Sequence, residues 1–203
     1  MLKKTIFAAA AAIALSATAF AASAADQVAV FAGGCFWSMQ KAFDHVPGVV
    51  KTRAGFMGGH VKNPTYEQVV TETTGHVESV EVTYDPARVS YDQLLQTFWR
   101  HTDPTDPNGV ICDFGPSYRT AIFTYNDDQY ARAVASKQAA ARQLHKPVVT
   151  LIVKSTATGL PFYPASDYHQ HFWQTHAAHY DAYYQGCGRG PALHKLWGAL
   201  ADS

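Results

Sequence analysis

Hydrophobic positions fall along this chain in short runs whose spacing separates strands from helices. Val28 to Phe31 is a short apolar run broken by Gly33-Gly34, which predicts a buried strand. Cys35 to Phe43 then reads as a helix, and Val49 to Phe56, after the Pro47-Gly48 turn signal, as a second extended segment. Val77 to Tyr84 alternates and predicts a strand. Ser90 with Gln93 three residues later makes a capping box, and Leu94, Leu95, Phe98 and Trp99 give the following helix its apolar face. A loop from Thr102 to Ser117 holds three prolines, two glycines and Cys112. Tyr118 to Tyr125 predicts a strand. Asp127 to His145 predicts an Ala-rich helix stopped before Pro147, and Val148 to Lys154 a further strand. A His- and aromatic-rich helical stretch runs from Ser166 to Tyr184, and a last short helix starts at Pro191. Strands and helices interleave without a regular βαβ rhythm. The pattern predicts an α+β fold, a two-layer sandwich with one mixed β-sheet covered by helices.

Residues 1–24 stand outside that pattern. Lys3 and Lys4 precede an apolar, Ala-rich run from Ile6 to Phe20, which ends in small residues at Ala22-Ser23-Ala24. This is the three-part form of a secretory signal peptide cleaved near Ala24 or Ala25. The run is short and Ala-rich for a membrane span of ~20 strongly apolar residues. No cysteine lies near the cleavage point to carry a lipid. The expectation is an exported protein, periplasmic or secreted, with residues 25–203 forming a single catalytic domain.

Composition narrows the partners. Hydrophobic residues make up 47% and aromatic residues 13% of the chain, which argues against disorder. Lys+Arg and Asp+Glu balance at 16 each, so no net charge draws the protein to nucleic acid or to an anionic membrane surface. A monomer is expected.

Three cysteines are an odd number for an exported protein, so at least one thiol stays free or pairs only transiently. Cys35 sits where a strand, two glycines and a helix start meet. The unpaired N–H groups and positive dipole end of a helix start favour a thiolate there, although most free cysteines are small buried hydrophobes. Glu78 is the second candidate. On the strand Val77–Tyr84 it shares a face with Val80 and Val82, whereas Glu81 lies on the polar face. A carboxylate at the end of a buried face is either solvated at the rim or desolvated with a raised pKa, and the second kind can act as a general acid.

Gly33-Gly34-Cys35-Phe36-Trp37 resembles the active-site motif of the type A peptide methionine sulfoxide reductases. Further blocks are similar to that family in the same order. They are Pro64-Thr65-Tyr66, Gly75-His76-Val77-Glu78, Tyr84-Asp85-Pro86, Cys112-Asp113 with Tyr118-Arg119-Thr120-Ala121-Ile122, and Asp167-Tyr168-His169-Gln170. The resemblance implies reduction of the S epimer of methionine sulfoxide, free or in proteins, and so repair of oxidised proteins. It implies that Cys35 attacks the sulfoxide sulfur, Glu78 protonates the oxygen, and Tyr66 and Tyr118 hydrogen-bond it. Asp113 orients the pocket, and Phe36, Trp37 and His169 bind substrate. Cys35 is left as a sulfenic acid. A second cysteine then forms a disulfide for a thioredoxin-like reductant. Cys187 is the expected resolving residue, flanked by Gly186 and Gly188 in a segment expected to flex, with Cys112 as the alternative. Cys112 stands where the family often has Asn, and Gly186-Cys187-Gly188-Arg189 replaces the Gly-Tyr-Cys-Gly tail of many members. No cofactor and no metal is implied.

Two other classes share some of these features. A thioredoxin-like oxidoreductase requires Cys-x-x-Cys, and here the fourth position is Ser38. A metal-binding protein is suggested by His169, His171, His176 and His179, of which His176 and His179 are one helical turn apart, but no Cys or carboxylate completes a familiar zinc motif.

Overall fold

The structure, a computed structural model, describes residues 25–202, so the expected signal peptide lies outside the described residues. The first half of the chain runs β1 (Gln27–Ala32), α1 (Phe36–Asp44), β2 (Val49–Met57), α2 (Tyr66–Val69), β3 (Val77–Tyr84) and α3 (Tyr91–Arg100). A small hairpin of β4 (Gly109–Val110) and β5 (Asp113–Phe114) follows, then β6 (Ala121–Thr124), α4 (Asp127–Leu144) and β7 (Leu151–Lys154). The chain closes with α5 (Ser155–Thr158), β8 (Tyr163–Pro164), α6 (Phe172–Thr175), α7 (Ala177–Gly186) and α8 (Arg189–Trp197).

Six strands form one mixed sheet in the order β7-β6-β1-β3-β2-β8, in which only β6 and β7 pair in parallel. β1 is central, which explains its unbroken apolar run. Ala29 and Phe31 join the main core with residues of α1, α3, α4 and α8, while Val30 and Ala32 join a smaller cluster beneath Leu160 and Phe162. Phe31 stacks on Phe43 of α1 and Phe98 of α3, at 4.8 and 5.5 Å between ring centroids. This is the expected helix-covered sheet.

Sheet register places the site. Phe31 of β1 pairs with Val80 of β3 in antiparallel register, so the same register carried two residues on sets Gly33 beside Glu78. Gly34 then turns the chain with φ at +84°, and a β-carbon there would lie 2.7 Å from Cβ of Val110. Glycine alone meets both demands. The turn starts α1 with Cys35 as its N-cap residue.

Three expectations change. The expected helical stretch from Ser166 to Tyr184 is broken into a 3-10 turn at Asp167–His169, then α6 and α7. Gln170 is the reason: its side-chain amide accepts from the Ala54 N–H and donates to the Ala54 carbonyl, both at 2.9 Å, and His171 follows with φ at +47°. The expected strand at Tyr118 begins at Ala121 instead, because Tyr118 ends a 3-10 turn, Pro116–Tyr118. The last helix starts at Arg189, two residues before Pro191, which is tolerated in a first turn where N–H groups lack helical acceptors.

Candidate active site

Cys35 is the free cysteine among the described residues and is 6% exposed. The effect of its helix-start position is opposed by its surroundings. The Phe36 N–H, the first free donor of α1, is given to Glu78 Oε2 at 2.9 Å. Burial pushes the Cys35 thiol well above its usual range, and the Glu78 and Asp113 charges push it further. Arg189 and the Tyr183 hydroxyl pull the other way without reversing the shift. Burial therefore works against the thiolate that a helix start favours.

Glu78 lies on the buried face of β3 and is 2% exposed, so it is not a rim carboxylate. Burial raises its pKa to about 8 against the opposing Phe36 hydrogen bond, with Asp113 and Glu72 adding to the rise. The group is therefore protonated at neutral pH. Protonation also removes one of the two negative charges that disfavour the Cys35 thiolate, so the protons of this pair are linked.

Two tyrosines face the same space. Tyr66 begins α2, after a capping box of Thr65 and Gln68, and Tyr118 ends its 3-10 turn. Their hydroxyls lie near each other, and each lies in the field of Glu78 and Cys35. Burial raises Tyr66 to about 12 and Tyr118 further, so both remain neutral hydroxyl donors.

Asp113 acts through partners. Its Oδ2 accepts the Tyr183 hydroxyl at 2.8 Å and Arg189 Nη1 at 2.9 Å, and Arg189 Nη2 donates to the Gly33 carbonyl at 3.3 Å. The Tyr183 hydroxyl also reaches the Cys35 sulfur. Arg189 is 1% exposed, a buried cation held by a carboxylate and two oxygens beside Cys35. Sequence reasoning missed Tyr183 and Arg189. One is an unremarkable member of an aromatic run, the other the first residue of a short helix.

Phe36, Trp37, Tyr66 and His169 form one aromatic wall. Trp37 stacks on Phe172 at 3.7 Å and its indole N–H donates to His169 Nδ1 at 3.2 Å, which places the His169 proton on Nε2. Burial lowers the His169 pKa, keeping the ring neutral. Phe36 and Tyr66 lie 5.3 and 4.3 Å from that ring, and Phe36 is itself fully covered.

Cys112 and Cys187 are bonded to each other. Cys112 adjoins Asp113. The Cys187 N–H donates to the Tyr183 carbonyl at 2.9 Å, so the disulfide touches both residues that flank Cys35. Cys187 sits in the corner between α7 and α8, half-buried, rather than in the loose segment expected from its glycines. The histidines have separate partners: His171 pairs with Asp44 at 2.9 Å, His176 stacks on Phe172, and His179 meets the edge of Trp37. Ser38 accepts a hydrogen bond from the Tyr180 hydroxyl at 3.4 Å.

Residues 27–200 match the model of the peptide methionine sulfoxide reductase family. The chain is 49% identical over 175 residues to the peptide methionine sulfoxide reductase MsrA of Bacillus subtilis, covering 85% of this chain and 97% of that protein. It is 47% identical over 171 residues to the enzyme of the same name from Listeria innocua, covering 83% and 94%. Among solved structures, methionine sulfoxide reductase A of Corynebacterium diphtheriae superposes with a TM-score of 0.69 at 35% identity, over 74% of each chain.

Proposed function

Since the chain belongs to the peptide methionine sulfoxide reductase family and reduces methionine sulfoxide to methionine, we propose that Cys35 is its nucleophile and Glu78 its acid. The observation that carries this reading is a fully buried carboxyl that accepts the Phe36 N–H at 2.9 Å, at the start of the helix that the free Cys35 caps.

Oxide is a poor leaving group, so the sulfoxide oxygen must gain a proton as the sulfur–oxygen bond breaks. Glu78 supplies it, and the Tyr66 and Tyr118 hydroxyls hydrogen-bond that oxygen where charge develops. The Cys35 sulfur attacks the substrate sulfur and its own proton returns to Glu78. The protonated oxygen then passes to the Cys35 sulfur as the new sulfur–sulfur bond breaks, so Cys35 becomes a sulfenic acid, methionine leaves, and two electrons pass from the thiol to the substrate. Asp113 with Arg189 fixes Tyr183 against the Cys35 sulfur, and the wall of Trp37 and His169, backed from within by Phe36, holds the substrate methyl. Such a site is chiral, and the S epimer is its substrate.

Recycling runs through both remaining cysteines. A sulfenic acid condenses with a thiol, not with a disulfide, so the Cys112–Cys187 bond is the end of the sequence rather than its start. The Cys187 thiol displaces water from Cys35 sulfenic acid to form a Cys35–Cys187 disulfide. The Cys112 thiolate then attacks Cys187, frees Cys35 and leaves Cys112–Cys187. Cys112 is exposed, which gives a thioredoxin-like dithiol access to reduce that bond. The substrates are oxidised proteins or peptides, and the enzyme works as an exported, periplasmic monomer after loss of residues 1–24. A methionine sulfoxide peptide incubated with the mature protein and dithiothreitol, followed by mass, tests the chemistry: loss of 16 mass units per sulfoxide (about one oxygen) is expected with the native enzyme and not with Cys35→Ser.

A further inference from the structure

Glu72 takes no part in the steps above, yet its conformation and contacts point at them. Its φ is +64°, in the left-handed region that a residue with a β-carbon disfavours. Its carboxylate accepts the Ser117 N–H at 2.7 Å and the Ser117 hydroxyl at 2.8 Å. Ser117 is 0% exposed and directly precedes Tyr118 in the same 3-10 turn. On the other side, the Glu72 N–H donates to the carbonyl of Val69, the last residue of the helix that Tyr66 begins. Gly115, which opens the 3-10 turn, approaches so closely that a β-carbon there would lie 2.5 Å from Glu72 Oε1. One residue thus joins the segment carrying Tyr66 to the segment carrying Tyr118.

We propose that Glu72 is a positioning residue, whose carboxylate holds Tyr118 at a fixed spacing from Tyr66 across the sulfoxide oxygen. This rests on the reading of the two tyrosines given above. A strained backbone is retained where the surroundings over-determine it, and here two hydrogen bonds to a buried serine do so. The arrangement also places the Glu72 charge where it helps to keep Glu78 protonated.

Glu72→Gly separates the roles, because glycine adopts φ of +64° freely while the carboxylate is lost. Methionine release is measured in a single turnover without reductant, over a range of sulfoxide peptide concentrations. Glu72→Gly should lower the maximal rate about tenfold or more, as small misplacements of catalytic groups do, with the half-saturating concentration little changed. Glu72→Gln, which can still accept from the Ser117 N–H and donate to its hydroxyl, should retain most of the rate. Ser117→Ala, which deletes one of the two bonds from the other side, should give an intermediate loss. Adding Glu72→Gly to Tyr118→Phe should cost little more than Tyr118→Phe alone, which a general loss of structure would not produce. Wild-type rates in Glu72→Gly and Ser117→Ala beside a slow Tyr118→Phe overturn the role of Glu72 alone. A wild-type rate in Tyr118→Phe overturns the tyrosine reading, and the role of Glu72 with it.

Discussion

Cys112 and Cys187, separated by 75 positions, are joined by a disulfide with their α-carbons 5.4 Å apart. The bond ties the turn between β4 and β5 to the corner between α7 and α8, next to the Asp113, Tyr183 and Arg189 cluster that faces Cys35. Both remaining cysteines therefore lie beside that cluster, bonded to each other.

Order within the relay is readable from trapped species. With the cysteines first reduced, one equivalent of methionine sulfoxide should leave Cys187→Ser as the Cys35 sulfenic acid and Cys112→Ser as a Cys35–Cys187 disulfide. Each variant should release about one methionine per enzyme, the product of one attack by Cys35. Peptide mapping with a sulfenic-acid probe distinguishes them. A Cys35–Cys112 disulfide in Cys187→Ser reverses the order.

Removing the nucleophile has a simple outcome. Cys35→Ser should lose sulfoxide reduction, because a serine hydroxyl does not take up the oxygen. Turnover by Cys35→Ser with dithiothreitol as reductant would assign the chemistry to another thiol.

Glu78 gives a pH signature. Its folded pKa of about 8 means the acid form, and with it the rate, declines as pH rises through about 8. Glu78→Gln should reduce the single-turnover rate by about 10²–10⁴-fold, the usual worth of general acid catalysis, and abolish that alkaline limb. Stability carries the same sign. A raised carboxyl pKa means that between the unfolded value, ~4.3, and about 8 the folded state binds the extra proton. The stability of the native protein relative to Glu78→Gln should therefore be greatest below that window, fall across it, and level off above about 8. Paired urea melts at several pH values measure this, and a flat difference contradicts the raised pKa.

Stereochemistry tests the pocket as a whole. Exhaustive reaction with a racemic methionine sulfoxide should leave the R epimer, read by chiral chromatography. Equal consumption of both epimers is incompatible with the fixed arrangement of Trp37, Glu78, Tyr66 and Tyr118.

Gly34→Ala tests how the fold presents the nucleophile. An added β-carbon meets Val110 and disfavours the φ of +84°. Destabilisation of about 1–3 kcal/mol is expected from the strained conformation alone. For a domain of this size that corresponds to a Tm lower by roughly 2–12 °C. A calorimetric scan measures it, and an unchanged Tm would mean the turn relaxes without cost.

By itself the sequence determined most of the local elements and singled out Cys35 and Glu78 as candidates for the chemistry. Strict alternation in Val77–Tyr84 put Glu78 on the face of Val80 and Val82, because side chains on a strand alternate and apolar ones are buried. Gly33-Gly34 marked the turn that presents Cys35, and the ordered motif blocks carried the resemblance. Tertiary structure decided what depended on distant partners. The Cys35 thiol lies above its usual pKa chiefly because of burial by other elements, which is not local to the motif. Gln170 breaks a helical pattern because Ala54, 116 positions away, offers its backbone. Tyr183, Arg189 and the Cys112–Cys187 bond reach the site through the packing of α7 and α8, a relation between chain segments that no periodicity within either one records.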